Sequence, residues 1–121
     1  IGGAIEYWHD FGIVDGSSLT RAQGARTLIT GGGMAYVNDV NEIPADSLAR
    51  LHGLDVLIVD ALRYNPHPSH FSVADALSWI AKLAPKRAIL TNLHADLDYA
   101  TLASELPSNV VPAYDGMKFA L

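Results

Sequence analysis

The sequence predicts an α/β layer fold, and three observations carry that reading. Val56-Leu57-Ile58-Val59 is a continuous apolar run, and Arg87 to Thr91 holds a second, the pattern of strands buried on both faces. Between them Val73, Leu77, Ile80, Ala81 and Ala84 fall on one stripe of an amphipathic helix. Both runs then give way to loops rich in Asp, Asn and His, as strands in layered α/β folds do.

The elements follow in order. Ala4 to Trp8 is β-prone, and Asp15-Gly16-Ser17-Ser18 is a turn cluster. Arg26 to Thr30 is a β-branched run, Gly31-Gly32-Gly33 breaks it, and Met34 to Asp39 resumes, which predicts a hairpin. Pro44 to Leu51 is a short helix with Pro near its start and Gly53 just past its end. Asp55 to Ala61 is the first buried strand. Ser72-Val73-Ala74-Asp75 opens the amphipathic helix as a capping box with Asp in place of Glu, and Pro85 stops it. Arg87 to Thr91 is the next strand. Asp98 to Leu106 is a helix ended by Pro107, and Val110-Val111 and Met117 to Ala120 are closing strands around Tyr114-Asp115-Gly116.

Composition narrows the function. A chain of 121 residues supports one core. With 50% hydrophobic and 17% charged residues, long disorder is not expected. Eight Lys and Arg against thirteen Asp and Glu give a net charge of −5, which counts against nucleic-acid binding; a small anionic substrate would need a local cation such as a bound metal. The absence of cysteine excludes thiolate catalysis, disulfides and Cys zinc sites, and suits a reducing, cytoplasmic setting. No run approaches the roughly 20 apolar residues of a membrane span, and no signal peptide is recognisable. The chain opens at Ile1 and reads as a piece of something longer.

Three strand ends carry residues capable of chemistry: Asn38-Asp39; Asp60 with Arg63, His67 and His70; and Thr91 to Asp96 with His94. Ligand crevices in α/β folds lie at such ends, and Asp with His suits zinc, manganese or iron. Structural readings stand beside the chemical ones. Asp39 suits a turn or helix cap. His94 suits an exposed loop, Asp60 a bond to a neighbouring amide, and His67-Pro68-Ser69-His70 a rigid proline loop. His52 suits a helix C-terminus. The Gly31-Gly32-Gly33 run is no phosphate loop, since no Lys-Ser/Thr follows, and no Gly-x-Ser-x-Gly elbow exists.

Taken in order, Ala35-Tyr36-Val37-Asn38-Asp39-Val40-Asn41-Glu42-Ile43-Pro44, Leu54 to Arg63, His67 to Ser72, Leu90 to Tyr99 and Ala113 to Met117 resemble the metallo-β-lactamase superfamily. The bacterial hydrolases related to phosphoribosyl cyclic phosphodiesterases are the group they resemble most. The resemblance spans Met34 to Leu121. It implies an αββα sandwich with a two-metal site between its sheets, of which this chain is one partial domain over residues 1–121. Asp39 takes the role of the aspartate that bridges both ions. His9 takes that of a histidine from an earlier strand end. The later strand end is commonly written Thr-His; here Thr91 is followed by Asn92, so the ligand role falls on His94. Asp60, Arg63, His67 and His70 then line the substrate side, with His67 or His70 as general acid or anion contact; His70 is taken as catalytic, beside Asp39. The His-x-His-x-Asp-His motif that supplies most ligands in the family is absent from these residues, which implies the carboxyl-terminal portion of such an enzyme.

The implied chemistry is metal-dependent hydrolysis, chiefly of phosphodiesters. Two zinc or manganese ions about 3.5–4 Å apart would activate a water as hydroxide. Arg63 would pair with phosphate in bidentate fashion. The competing expectation is a non-catalytic ligand- or partner-binding α/β module, favoured by the missing motif and by Asn92. By itself the chain is expected to fold and to hydrolyse little. Pairing with a second copy is open, since a cut fold would expose apolar surface.

Overall fold

A computed structural model describes residues 18–22, 25–29, 33–38, 40, 42–43 and 45–120. These form a six-stranded sheet in the spatial order of the sequence, β1 (Ser18–Ala22), β2 (Ala25–Ile29), β3 (Met34–Asn38), β4 (Val56–Asp60), β5 (Arg87–Thr91) and β6 (Val110–Pro112). The first three strands are an antiparallel meander and the last four run parallel. Helices α1 (Ala45–Leu51), α2 (Val73–Leu83) and α3 (Tyr99–Glu105) make the crossovers. The expected α/β class stands.

The two faces of the sheet are packed differently. Alternate residues Ala35 and Val37, Leu57 and Val59, and Ala88 and Leu90 face the helices and join Leu51, Val73, Ala76, Ile80, Leu83 and Leu102 in the main core. The other face carries a smaller cluster, Tyr36, Val56, Ile58 and Ile89, with Met34, Ala113 and Met117 against it and, among the described residues, no helical one. The described sheet with its helices on one side corresponds to half of a four-layer αββα arrangement. Among the described residues no helix is long and apolar enough to cross a membrane.

Most expected elements recur, and three details differ. Ser18, placed in a turn by the sequence, begins β1, whose pairing with β2 is a tertiary choice that SLTRA does not advertise. The apolar stripe of α2 is rotated: Val73, Ala76, Ile80 and Leu83 are buried, while Ala81 is exposed and Ala84 leaves the helix as a left-handed cap with φ 51°. The small Ala76 lets the helix approach the sheet on that side. Finally, Met117 to Ala120 is not a strand. Pro112, with no N–H to offer, closes β6, the chain turns with the Met117 amide donating to Tyr114 O, and Met117 packs on the helix-free face. The Ser72–Asp75 capping box forms as read, each side chain accepting from the other's amide. Gly33 is required: at φ +88° a Cβ would stand 2.6 Å from Asp55 Oδ2, and its carbonyl accepts the amides of Asp55 and Val56.

Candidate active site at the strand ends

Parallel register sets Val37 beside Val59 and Asp60 beside Thr91, so the carboxyl ends of β3, β4 and β5 lie next to one another. Asp60 is the last residue of β4 and is fully buried. Its Oδ2 accepts the Val40 amide at 3.1 Å and lies 2.8 Å from His70 Nδ1; its Oδ1 accepts Asn92 Nδ2 at 3.1 Å. An ionised carboxylate only accepts, so the His70 proton on this edge sits on Nδ1 and Asp60 receives three hydrogen bonds. A buried charge of this kind persists only when so supplied.

Each donor is placed by backbone. The strand ladder runs one step past β4, with the Ala61 amide on Thr91 O. Asn92 then turns the chain at φ 60°, a conformation asparagine tolerates better than most residues, and this swings its amide onto Asp60. The loop from β4 to α2 returns to its origin. Leu62 N donates to Phe71 O, Phe71 N to Val40 O and Val73 N to Arg63 O. His67 and His70 pair as an isolated antiparallel bridge, with ring centroids 5.1 Å apart and planes tilted by 57°. Ser69 N–H donates to His67 Nδ1 at 3.1 Å.

Tyr36 flanks the site from the helix-free face. Burial pushes its phenol above the ordinary value; a side-chain bond with Thr91 partly offsets this, and the Asp60 charge adds to the rise. A cavity of about 600 Å³ lies on this face, floored by Ile58 and Ile89, walled by Tyr36 and Met117 and reaching Thr91 and Asn92.

The expected residues divide. His9 and Asp39 lie outside the described residues. Asp60 and His70 come together; Asp60, expected either on the substrate side or bonded to a neighbouring amide, is fully buried and bonds the Val40 amide and His70. Arg63 was expected as a phosphate clamp, yet its Nε donates to Asn65 O at 3.2 Å and its Nη2 to Pro66 O at 3.0 Å. The fork braces its own loop. His67 stands beside His70. His94 is about half exposed, and its Nδ1 accepts the Asp96 amide at 3.1 Å. Ligation by its Nε2 as a neutral imidazole would require that amide to let go of Nδ1. Asn92 and the Val40 amide are site members that the sequence reading did not assign. The signal for Asn92 was its place directly after Thr91, where the family pattern puts a histidine.

The described donors do not fit a two-ion site. Among the described residues no three His, Asp or Glu converge as a metal cluster. The Asn92 amide nitrogen is directed to Asp60, and Asn38 Oδ1 at the end of β3 is a buried acceptor with no partner, one oxygen rather than a ligand set.

Comparisons with known proteins agree on the fold. A family profile, the Beta-lactamase superfamily domain, matches residues 6–92. An octanoyltransferase of Porphyromonas gingivalis is 31% identical over 90 residues, 72% of this chain but 18% of that protein. Among solved structures, a diphosphatase from the PhnP family is similar at 30% identity and a TM-score of 0.73, over 85% of this chain and 46% of the other. The metallo-beta-lactamase fold protein YhfI from Bacillus subtilis is similar at 16% identity and a TM-score of 0.62, over 90% of this chain and 52% of that one. The short form of human tRNase Z, at 15% identity and a TM-score of 0.55, is covered to 45% by 85% of this chain. The last two likenesses bear on fold alone. The chain spans about half the length of each of these structures and under a fifth of the curated relative.

Proposed function

The chain belongs to the beta-lactamase superfamily, and from that membership and the Asp60–His70 pair we propose that it carries the proton-transfer side of a metal-dependent hydrolase of small phosphodiesters. The observation that carries this reading is the 2.8 Å contact between His70 Nδ1 and the sealed Asp60 carboxylate. A carboxylate on Nδ1 fixes the ring and the tautomer, so protons enter and leave at Nε2. In this role His70 gives a proton from Nε2 to a departing alkoxide while Asp60 holds the ring in place through Nδ1. Asn92 and the Val40 amide keep Asp60 from turning away. The diphosphatase likeness supports a phosphorus-centred substrate, and the net charge of −5 favours a small anion over a nucleic acid. The divalent ions that family membership implies, zinc or manganese, need ligands beyond the described set, Asp39 and His9 being the candidates from this chain. A cytoplasmic setting belongs to the same proposal.

A second reading, a binding module without turnover, draws support from Asn92, which stands at the expected histidine position and serves Asp60 instead. One assay separates them. The protein carrying this chain at its natural length, supplied with zinc or manganese, is given an activated phosphodiester such as bis(p-nitrophenyl) phosphate. Turnover is expected, and His70→Gln should lower it by about 10²- to 10⁴-fold. A His70→Gln protein that keeps its full rate would refute the proton-transfer role. A protein without turnover on any phosphodiester would favour the binding module.

A further inference from the structure

His67 and His70 are three residues apart on one bridge, yet opposite kinds of partner hold their Nδ1 atoms. At His70 the partner is a carboxylate oxygen, which accepts. At His67 the partner is the Ser69 backbone N–H, which can only donate, at 3.1 Å. The Ser69 hydroxyl lies a further 3.2 Å from the same nitrogen. A nitrogen that accepts an amide proton carries a lone pair, so a neutral His67 must hold its proton on Nε2. His70 is the opposite tautomer, with its proton on Nδ1.

We propose that His67 is a neutral oxyanion-binding residue, donating from Nε2–H to a phosphoryl oxygen of the substrate, while His70 alone exchanges protons. This rests on the phosphodiester reading above and adds the division of labour within its site. Three features support it. The braced loop fixes the donor direction, since Arg63 holds the Asn65 and Pro66 carbonyls immediately before His67. Ring centroids 5.1 Å apart set His67 close enough to His70 for one substrate phosphoryl group to meet both rings. The guanidinium that would otherwise take the anion is turned to its own loop, so a neutral N–H is the donor this loop presents beside His70. With Nδ1 taken by the Ser69 amide, the proton His67 can offer a ligand is the one on Nε2.

The test needs no turnover. Long-range proton–nitrogen NMR spectra of the ¹⁵N-labelled protein at neutral pH should show His67 as the Nε2–H tautomer and His70 as the Nδ1–H tautomer. Inorganic phosphate, titrated in, should shift the His67 Nε2 resonance. His67→Asn keeps an acceptor for the Ser69 amide but has no group at the Nε2 position, and should weaken phosphate binding at least fivefold while leaving the His70 tautomer unchanged. His67→Gln, which returns an N–H near Nε2, should recover most of the affinity. A His67 proton found on Nδ1, phosphate that leaves His67 unmoved, or undiminished affinity in His67→Asn would each overturn the assignment. The proton-transfer reading falls separately, on the turnover of His70→Gln.

Discussion

The loops that leave β4 and β5 start side by side, carry the histidines that matter, and are held by opposite means. The β4 loop folds back on a sealed carboxylate. Asp60 collects three donors, Arg63 ties two carbonyls, and Phe71 returns to Val40. The β5 loop is tied to the first by one backbone bond, His94 N to Leu62 O, and its histidine faces its own neighbour Asp96. A histidine gains proton chemistry at Nε2 when a buried acceptor holds Nδ1, and loses it when a backbone amide does. The spacing of histidines along the chain is blind to that difference.

The largest effect should come from removing the acceptor at the centre of the first loop. Asp60→Ala strips partners from the Val40 amide, His70 and Asn92 at once, all at a fully buried point. Each unmet buried donor costs about 1–3 kcal/mol, so a loss of about 3–5 kcal/mol is expected in urea unfolding, with water replacing part of the deficit. His94→Ala in the second loop should change stability by less than about 0.5 kcal/mol, as exposed substitutions do. Equal losses in the two variants would erase the contrast between the loops.

The core of this contrast was legible before the structure, and its details were not. Val56 to Val59 announces a strand buried on both faces because nothing polar interrupts it, and Ser72 with Asp75 announces a helix start because the bonding is local. Asp60, His67 and His70 were legible as a cluster for the same reason. The choice between their roles was not, because a carboxylate at a strand end looks alike in sequence whether it faces a substrate or bonds an amide twenty residues away. The loop contacts of Arg63 were not legible because its partners are the backbone carbonyls of Asn65 and Pro66, and carbonyls leave no mark in a sequence. The rotated stripe of α2 has a similar origin. Leu77 and Ala76 both suit an apolar face; Ala76 is fully buried, and Leu77 packs at the edge of the same core.

Asn92 links the two loops and offers a finer test. Its side chain supports Asp60 in the first, while its backbone at φ 60° starts the second. Asn92→Ala loses the hydrogen bond and also strains the backbone, for an expected cost of about 1–2 kcal/mol. Asn92→Gly loses the bond alone, because glycine adopts a positive φ without a Cβ clash. Glycine should therefore be the milder variant in thermal unfolding, and both should broaden the His70 NMR signals by loosening Asp60. Should alanine prove no worse than glycine, the turn rather than the side chain is the negligible part.

The smallest expected effect lies at the far end of the second loop, where Asp98 caps α3. Its Oδ2 accepts the Thr101 hydroxyl at 2.7 Å and the Thr101 amide at 3.0 Å, and these two bonds hold the carboxyl below its ordinary value near 3.8. A carboxyl depressed by folding binds its proton more readily in the unfolded chain. Its contribution is therefore complete above the unfolded value and fades as the pH falls through the lower, folded one. Acidification through this window should release the Thr101 cap and leave the amides of the first turn of α3 open to exchange. Solvent screening at this exposed position keeps the effect small. Hydrogen exchange at the Thr101 amide, followed from about pH 5 down to pH 2 and corrected for intrinsic rates, should show protection lost on the acid side. Asp98→Asn should lose most of that pH dependence, because an amide oxygen still accepts but carries no titrating charge. Protection that falls equally in the variant would mean that the helix end opens for reasons other than its cap, and the second loop would then be held by Leu102 in the core rather than by the charge at its end.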